Sequence, residues 1–189
     1  YSEFLNLFFG IHVSQIVNPL TKKVYSNSPE PYFIVELPIP AEKKEPTLYD
    51  CFEHYSNPEM LNGENAWFNE DTKQKEDVHK QMVFWSFPNI LVISLKRFTN
   101  MNRKLNHLVH APLENLNLSK FVKGYNKDSY NYDLFGVANH TGNAMGGHYF
   151  AYIKSKSGKW HEFNDTNVKE ISNDSIVSPK SYVFFYRKK

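Results

Sequence analysis

The chain has 189 residues, of which 41% are hydrophobic, 16% aromatic and 22% charged, a composition that fits a folded globular domain and excludes a disordered one. The abundance of tyrosine and phenylalanine favours strands and aromatic-lined surfaces over a helical bundle. The net charge of +2 is unevenly spread: residues 41–80 hold ten acids against five bases, leaving 17 bases and ten acids elsewhere. This reads as an acidic surface, open to a basic protein partner, beside a mildly basic body. Nucleic acid is not an expected partner, because the lysines are scattered and "KFVKGYNK" is the nearest thing to a basic aromatic stripe.

The chain opens on Tyr1 and enters "FLNLFFGIHV" at once, which reads as the middle of a longer protein. That apolar run is too short for a membrane span and lacks a basic n-region, so neither an anchor nor a signal peptide is expected. "IHVSQIVNPLTKKVYSNSPEPYFIVELPIP" reads as β structure: Phe33, Val35, Leu37 and Ile39 alternate, and Asn18-Pro19 and Pro29-Glu30-Pro31 mark turns. "EPTLYDCFEHYSNPEML" is the clearest helix. Thr47 caps it, Asp50 completes an approximate capping box, and Leu48, Cys51, Phe52 and Tyr55 share one face. The polar stretch that follows reads as a finger-like excursion, and "NILVISLKRF" as a buried central strand ending in a cationic pair. After the polar loop "TNMNRKLNHLVHAPLENLNL" come the strand "YDLFGVANHT", the glycine-rich loop "GNAMGG", a hairpin "HYFAYIKSKSGKWHEFND" turning at Ser157-Gly158, and the strand "SYVFFYRKK". One early helix and a β-rich second half predict an α+β fold built mainly on antiparallel sheet.

His148 stands at the head of a strand after two glycines, where a loop delivers one imidazole. Hairpin arithmetic supplies it with a partner. A two-residue turn at Ser157-Gly158 puts Asp165 on the His148 face, and one extra turn residue puts Asn164 there instead. In either register a carbonyl oxygen holds one ring nitrogen and leaves the other for a nucleophile, the Cys-His-Asn or Cys-His-Asp arrangement. The spacing alone does not choose. His107, His110, His140 and His148 come with no HExxH or CxxC, so no metal site is expected.

Taken together, "NILVISLKRF", "YDLFGVANHTGNAMGGHYFAYIKSKSGKWHEFNDTNV" and "SYVFFYRK" resemble the C-terminal part of a ubiquitin-specific protease catalytic domain. "FFGIHVSQIV", "SPEPYFIVELPIP" and "TLYDCFEHYSNPEMLNGENAW" resemble that family's fingers and palm helix more loosely. The resemblance implies a papain-like cysteine protease fold, with residues 1–86 as fingers plus the adjoining helix at about 47–56, and residues 87–189 as palm. It implies His148 as general base, Asn164 as the third triad member and Asp165 as a supporting carboxylate. Phe98, His140, Gly147 and Tyr149 match positions lining the channel for ubiquitin's tail. Thr99 to His110 and Asn139 to Gly147 match the two loops that shift when ubiquitin enters.

The family's cysteine box is not in this sequence, and Cys51, within the amphipathic helix, reads as a packing residue. The thumb that carries the nucleophile is therefore expected to lie outside this chain. Many relatives also carry two CxxC pairs in the fingers. At the places taken as corresponding, this sequence has "HVSQ" (His12 to Gln15) and "WFNE" (Trp67 to Glu70), so no zinc and no other cofactor is expected. The resemblance implies a thiol-dependent deubiquitinase acting on ubiquitin and ubiquitinated proteins inside the cell, in cytoplasm or nucleus. The competing readings are a ubiquitin-binding module without activity and a different papain-like hydrolase. The latter leaves the ordered "LKRF", "GGHY" and "FND" series unexplained.

Overall fold

The computed structural model describes residues 2–101 and 103–189. In chain order the main elements are α1 (Glu3–Phe8), β1 (Gly10–Val17), β2 (Val24–Tyr32), β3 (Ile34–Pro38), α2 (Leu48–Ser56), β4 (Glu59–Leu61), β5 (Trp67–Asn69), β6 (Gln74–Glu76), β7 (Val78–Ser86) and β8 (Ile90–Lys96). They continue with β9 (Leu116–Asn117), β10 (Asn131–Asn143), β11 (Gly146–Lys154), β12 (Trp160–Asn164), β13 (Asn167–Ile171) and β14 (Ser181–Lys188). The strands form a four-stranded sheet in the order β2-β1-β7-β4, a two-stranded ribbon β5-β6, and an eight-stranded sheet. The large sheet runs β13-β12-β11-β10-β14-β8-β3, with β9 beside β10. Every pairing is antiparallel except that of β3 with β8. Thus β3, from the first half of the sequence, forms an edge of the large sheet.

Helix α2 begins where its sequence says it should. The Thr47 hydroxyl accepts the Asp50 backbone N–H at 3.2 Å, and the Asp50 carboxylate accepts the Thr47 backbone N–H at 2.8 Å. The reciprocal pair satisfies two donors that the first helical turn leaves open. Leu48, Cys51 and Phe52 are fully buried, against a core that includes Leu37, Leu91, Ile93, Phe84, Tyr132 and Tyr186. The two core tyrosines keep their hydroxyls satisfied on the carbonyls of Pro88 and Pro112, at 2.8 and 2.7 Å. Strand β8 is the buried strand the apolar run predicts, with Leu91, Val92, Ile93 and Leu95 all in the core.

Three local expectations change. The opening apolar run contains a short helix, α1, which buries none of its residues and gathers Phe4, Phe8 and Phe9 around Phe33. Pro29 and Pro31 do not turn the chain: they pair with Val13 and Ile11 inside β2. An edge strand tolerates them, because the N–H that each proline lacks belongs on the unpaired side. "GNAMGG" is a ladder and not a loop, with Gly142 opposite Gly147 and only Ala144 and Met145 between the strands. A Cβ on Gly142 would lie 2.6 Å from the Gly147 Cα, so only glycine allows strands this close here.

Candidate active site

The β11–β12 hairpin sets the site. Ser155 N–H bonds to the Lys159 carbonyl at 2.8 Å, and Gly158 takes the left-handed conformation with φ +86°. The turn therefore has three residues, Lys156 to Gly158, with glycine at the position that needs positive φ. Lys154 pairs with Trp160 and Ala151 with Phe163. One step further, Phe150 falls opposite Asn164, which places Asn164 on the face of His148. The extra turn residue decides between the two registers the sequence left open.

The His148 Nε2 lies 2.7 Å from the Asn164 Oδ1. An amide oxygen only accepts, so the proton sits on Nε2 and the lone pair on Nδ1. Asp165 follows at once. It opens the two-residue turn between Asn164 and Asn167 with φ +52°, a conformation aspartate tolerates better than most residues. Its carboxylate stands 3.9 Å from the same Nε2. The reversal after Asn164 thus brings both side chains to one edge of the imidazole. The His148 ring also stacks along Phe150, with centroids 6.4 Å apart and planes 19° from parallel. The His148 side chain is 46% exposed, so the imidazole lies at a surface that an incoming group can reach.

Cys51 is not brought to His148. It is fully buried on the inner face of α2, and its thiol is pushed up to about 12, chiefly by burial and then by the Asp50 charge, with Arg97 opposing. The thiolate is the nucleophilic form, so a thiol held this high is inert at neutral pH.

Around His140, which pairs with the strand neighbour of His148, four expected residues meet. His140 packs against Tyr149 at 4.6 Å and against Phe98 at 5.7 Å between ring centroids. Gly147 closes on His140 so tightly that a Cβ would come within 2.2 Å of the Nε2. His140 is only 3% exposed and its Nδ1 has no partner among the described residues. Burial, and next the charge of Lys104, lower its pKa below the ordinary imidazole value.

Three residues of this region escape sequence reasoning. Tyr182 completes the aromatic group, 6.0 Å from His140 and 6.1 Å from Phe98. Lys104 donates to the His140 carbonyl at 2.5 Å. Arg97, fully buried, donates to the carbonyls of Ser181 at 2.7 Å, Leu105 at 2.8 Å and His107 at 2.9 Å. It ties the 99–110 loop to the start of β14, whose neighbour Lys180 accepts the His140 N–H at 2.9 Å. Its guanidinium faces no carboxylate in these bonds, and burial lowers its pKa to about 10. The signal was visible as a charge ending an apolar run. Its burial was not.

Among the described residues, no group of three or more His, Cys, Asp and Glu side chains is arranged to hold a metal ion. No described helix is long and apolar enough to cross a membrane.

A family model described as ubiquitin carboxyl-terminal hydrolase matches residues 3–186. The chain is 42% identical over 158 residues to ubiquitin carboxyl-terminal hydrolase 4 of Pongo abelii, covering 79% of this chain and 16% of that protein. It is 38% identical over 146 residues to ubiquitin carboxyl-terminal hydrolase 10 of Arabidopsis thaliana, covering 75% of this chain and 16% of the relative. The chain thus spans about one-sixth of the length of these curated relatives. A solved SAGA DUB module of Ubp8, Sgf11, Sus1 and Sgf73 bound to monoubiquitin holds a similar chain, with TM-score 0.83 and 28% identity. That match covers 97% of this chain and 41% of the solved one. Sheets, few helices and family thus agree on the papain-like palm-and-fingers architecture, and the chain belongs to the ubiquitin carboxyl-terminal hydrolase family.

Proposed function

We propose that this chain supplies the general base and the tail channel of a thiol-dependent deubiquitinase, which hydrolyses the isopeptide bond after the C-terminal glycine of ubiquitin. The observation that carries this reading is the 2.7 Å bond between His148 Nε2 and Asn164 Oδ1, next to the Phe98, His140, Gly147 and Tyr149 group. Residues 1–86 serve as fingers with the adjoining helix, and residues 87–189 as palm. Partners are ubiquitin, ubiquitinated proteins and the thumb segment that carries the cysteine. Thiol chemistry suits a reducing compartment, the cytoplasm or nucleus.

The nucleophile comes from a segment outside this sequence, since the one cysteine here is buried and held as a thiol. Neutral His148 takes the thiol proton on Nδ1. The thiolate attacks the glycine carbonyl, and the imidazolium keeps donating its Nε2–H to the Asn164 Oδ1 and faces the Asp165 charge 3.9 Å away. His148 returns the proton to the leaving lysine amine. A thioester remains; water, losing its proton to His148, hydrolyses it and restores the thiol. Gly147 packs so closely on His140 that no larger residue fits at that position.

The test uses the full-length protein and a ubiquitin probe with an electrophile at its C-terminus. The probe should label a cysteine outside this sequence, and His148→Ala should lower turnover by at least about 10²-fold. Labelling of Cys51 would overturn the assignment. Tight ubiquitin binding with no labelling would instead make the protein a binding module without activity.

A further inference from the structure

One turn occurs twice in the fingers. Asn18-Pro19-Leu20-Thr21-Lys22 joins β1 to β2, and Asn69-Glu70-Asp71-Thr72-Lys73 joins β5 to β6. In the first, the Asn18 amide oxygen accepts the N–H of Leu20 at 2.9 Å, and its backbone carbonyl accepts the N–H of Lys22 at 3.0 Å. In the second, the Asn69 amide oxygen accepts the N–H of Asp71 at 2.9 Å, and its carbonyl the N–H of Lys73 at 2.8 Å. Lys22 and Lys73 are both left-handed, with φ 60° and 57°. The shared pattern is N-x-x-T-K, with an Asx turn at the head and a strained lysine at the end.

The two turns are joined through side chains. Asn18 Nδ2 donates to the Tyr25 hydroxyl at 2.8 Å, and the Tyr25 ring stacks on Trp67 at 5.6 Å with planes 10° apart. Trp67 pairs across the ribbon with Glu76. The Glu76 carboxylate accepts from Asn69 Nδ2 at 2.7 Å and from the Thr72 hydroxyl at 2.8 Å. Asn69 is 6% exposed, an amide buried at the tip of a finger and fully employed there.

Many relatives carry two CxxC pairs in the fingers, a donor set that suits zinc. The places read from sequence do not form such a site. His12 to Gln15 lies inside β1, where residues three apart point to opposite faces, and His12 is bound to Tyr55 at 3.1 Å and to Glu30 at 3.5 Å. The turns with two-residue spacing are Asn18–Thr21 and Asn69–Thr72. They offer amide and hydroxyl oxygens, whereas a structural zinc takes thiolate and imidazole, so the residues do not fit the metal.

We propose that these two turns, joined by the Tyr25–Trp67 stack and by Glu76, form a hydrogen-bonded clasp that stands in the place of a metal and makes Trp67 and Glu76 positioning residues for the ubiquitin-holding surface. The proposal rests on the deubiquitinase reading for its kinetic consequence only. A loosened clasp lets the finger hairpins move independently, which weakens the grip on the body of ubiquitin and leaves the chemistry at His148 intact.

Two measurements on the full-length protein test it. Trp67→Ala and Glu76→Ala should each raise KM for a fluorogenic ubiquitin amide by several-fold to about tenfold, with kcat within about twofold, and Trp67→Phe should restore KM by keeping the stack. Separately, the combined Asn18→Cys, Thr21→Cys, Asn69→Cys and Thr72→Cys protein should take up one more Co²⁺ per chain than the unchanged protein, with thiolate-to-cobalt charge-transfer absorption. No additional cobalt would mean that the turns do not form a joined pair, and would sink the clasp whatever the activity. An unchanged KM with Trp67→Ala and Glu76→Ala, or a fall confined to kcat, would remove the positioning role. Absence of turnover in the unchanged protein, with cobalt uptake in the four-cysteine protein, would count against the proposed function and leave the clasp standing.

Discussion

The palm and the fingers are held by different forces. In the palm, Trp160, Tyr132, Tyr186, Phe52 and Phe184 are large side chains with almost no exposed surface. Their burial, non-directional and proportional to area, fixes how the large sheet lies on α2. In the fingers, every residue of β2 before Tyr32 is exposed or half-exposed, and Phe68 of β5 is 46% exposed. At the β2 edge and the β5–β6 ribbon little apolar area is buried, so position there depends on directional bonds at the Asn18 and Asn69 turns. The palm should therefore tolerate polar changes and suffer from cavities, and the fingers the reverse.

The largest expected effect tests that contrast directly. Phe52→Ala should cost about 3–5 kcal/mol in a denaturant titration, the range for a buried aromatic, while Phe68→Ala should cost under about 1 kcal/mol. Equal losses would erase the distinction. Next in size, under the proposed function, Asn164→Ala should lower kcat/KM of the full-length protein by roughly 10²-fold with the unfolding midpoint unmoved, because the residue bonds His148 at an exposed edge and bears no core. A fall in stability that matched the fall in rate would make Asn164 a structural residue.

A smaller change sharpens the contrast inside the palm. Asp50→Ala removes the capping box of α2 and should cost about 1 kcal/mol. Asp50 is held down to about 2 by its bonds to Lys43 and Thr47. A carboxylate lowered in the folded state stabilises above its ordinary value, near 4, and loses that contribution as pH falls towards 2. Acid titration of stability should show this step and Asp50→Ala should lack it. The smallest effect concerns His140, whose pKa is lowered by burial and by Lys104. The unfolded chain then binds the proton first, so stability should decline as pH falls below about 6.5, and His140→Gln should flatten that slope.

How much was legible depended on how local the cause was. The start of α2 could be read because Thr47 and Asp50 are three residues apart and bond each other. Strand β8 could be read because its burial is written as an unbroken apolar run. The prolines of β2 were misread as turns because what permits them, an edge with no neighbour, is a property of the sheet. "GNAMGG" was misread as a loop because its glycines serve contact between strands. The N-x-x-T-K repeat lay in plain sight but has meaning only once Tyr25 and Glu76 join its two copies.

For the candidate site, sequence and resemblance nominated His148, Asn164, Asp165 and the aromatic neighbours. The choice between Asn164 and Asp165 as the residue sharing the face of His148 turned on one additional residue in the Lys156–Gly158 turn, a difference that hydrogen bonding settles and apolar alternation does not. By itself the sequence determined the helix with its cap, the buried strands and the residue types of the site, because short-range bonds and periodicity suffice for these. Only the tertiary structure decided that Arg97 is sealed in the core, that Tyr182 joins His140, and that Tyr25 stacks on Trp67. Each of these depends on contacts between distant segments, which a linear pattern does not record.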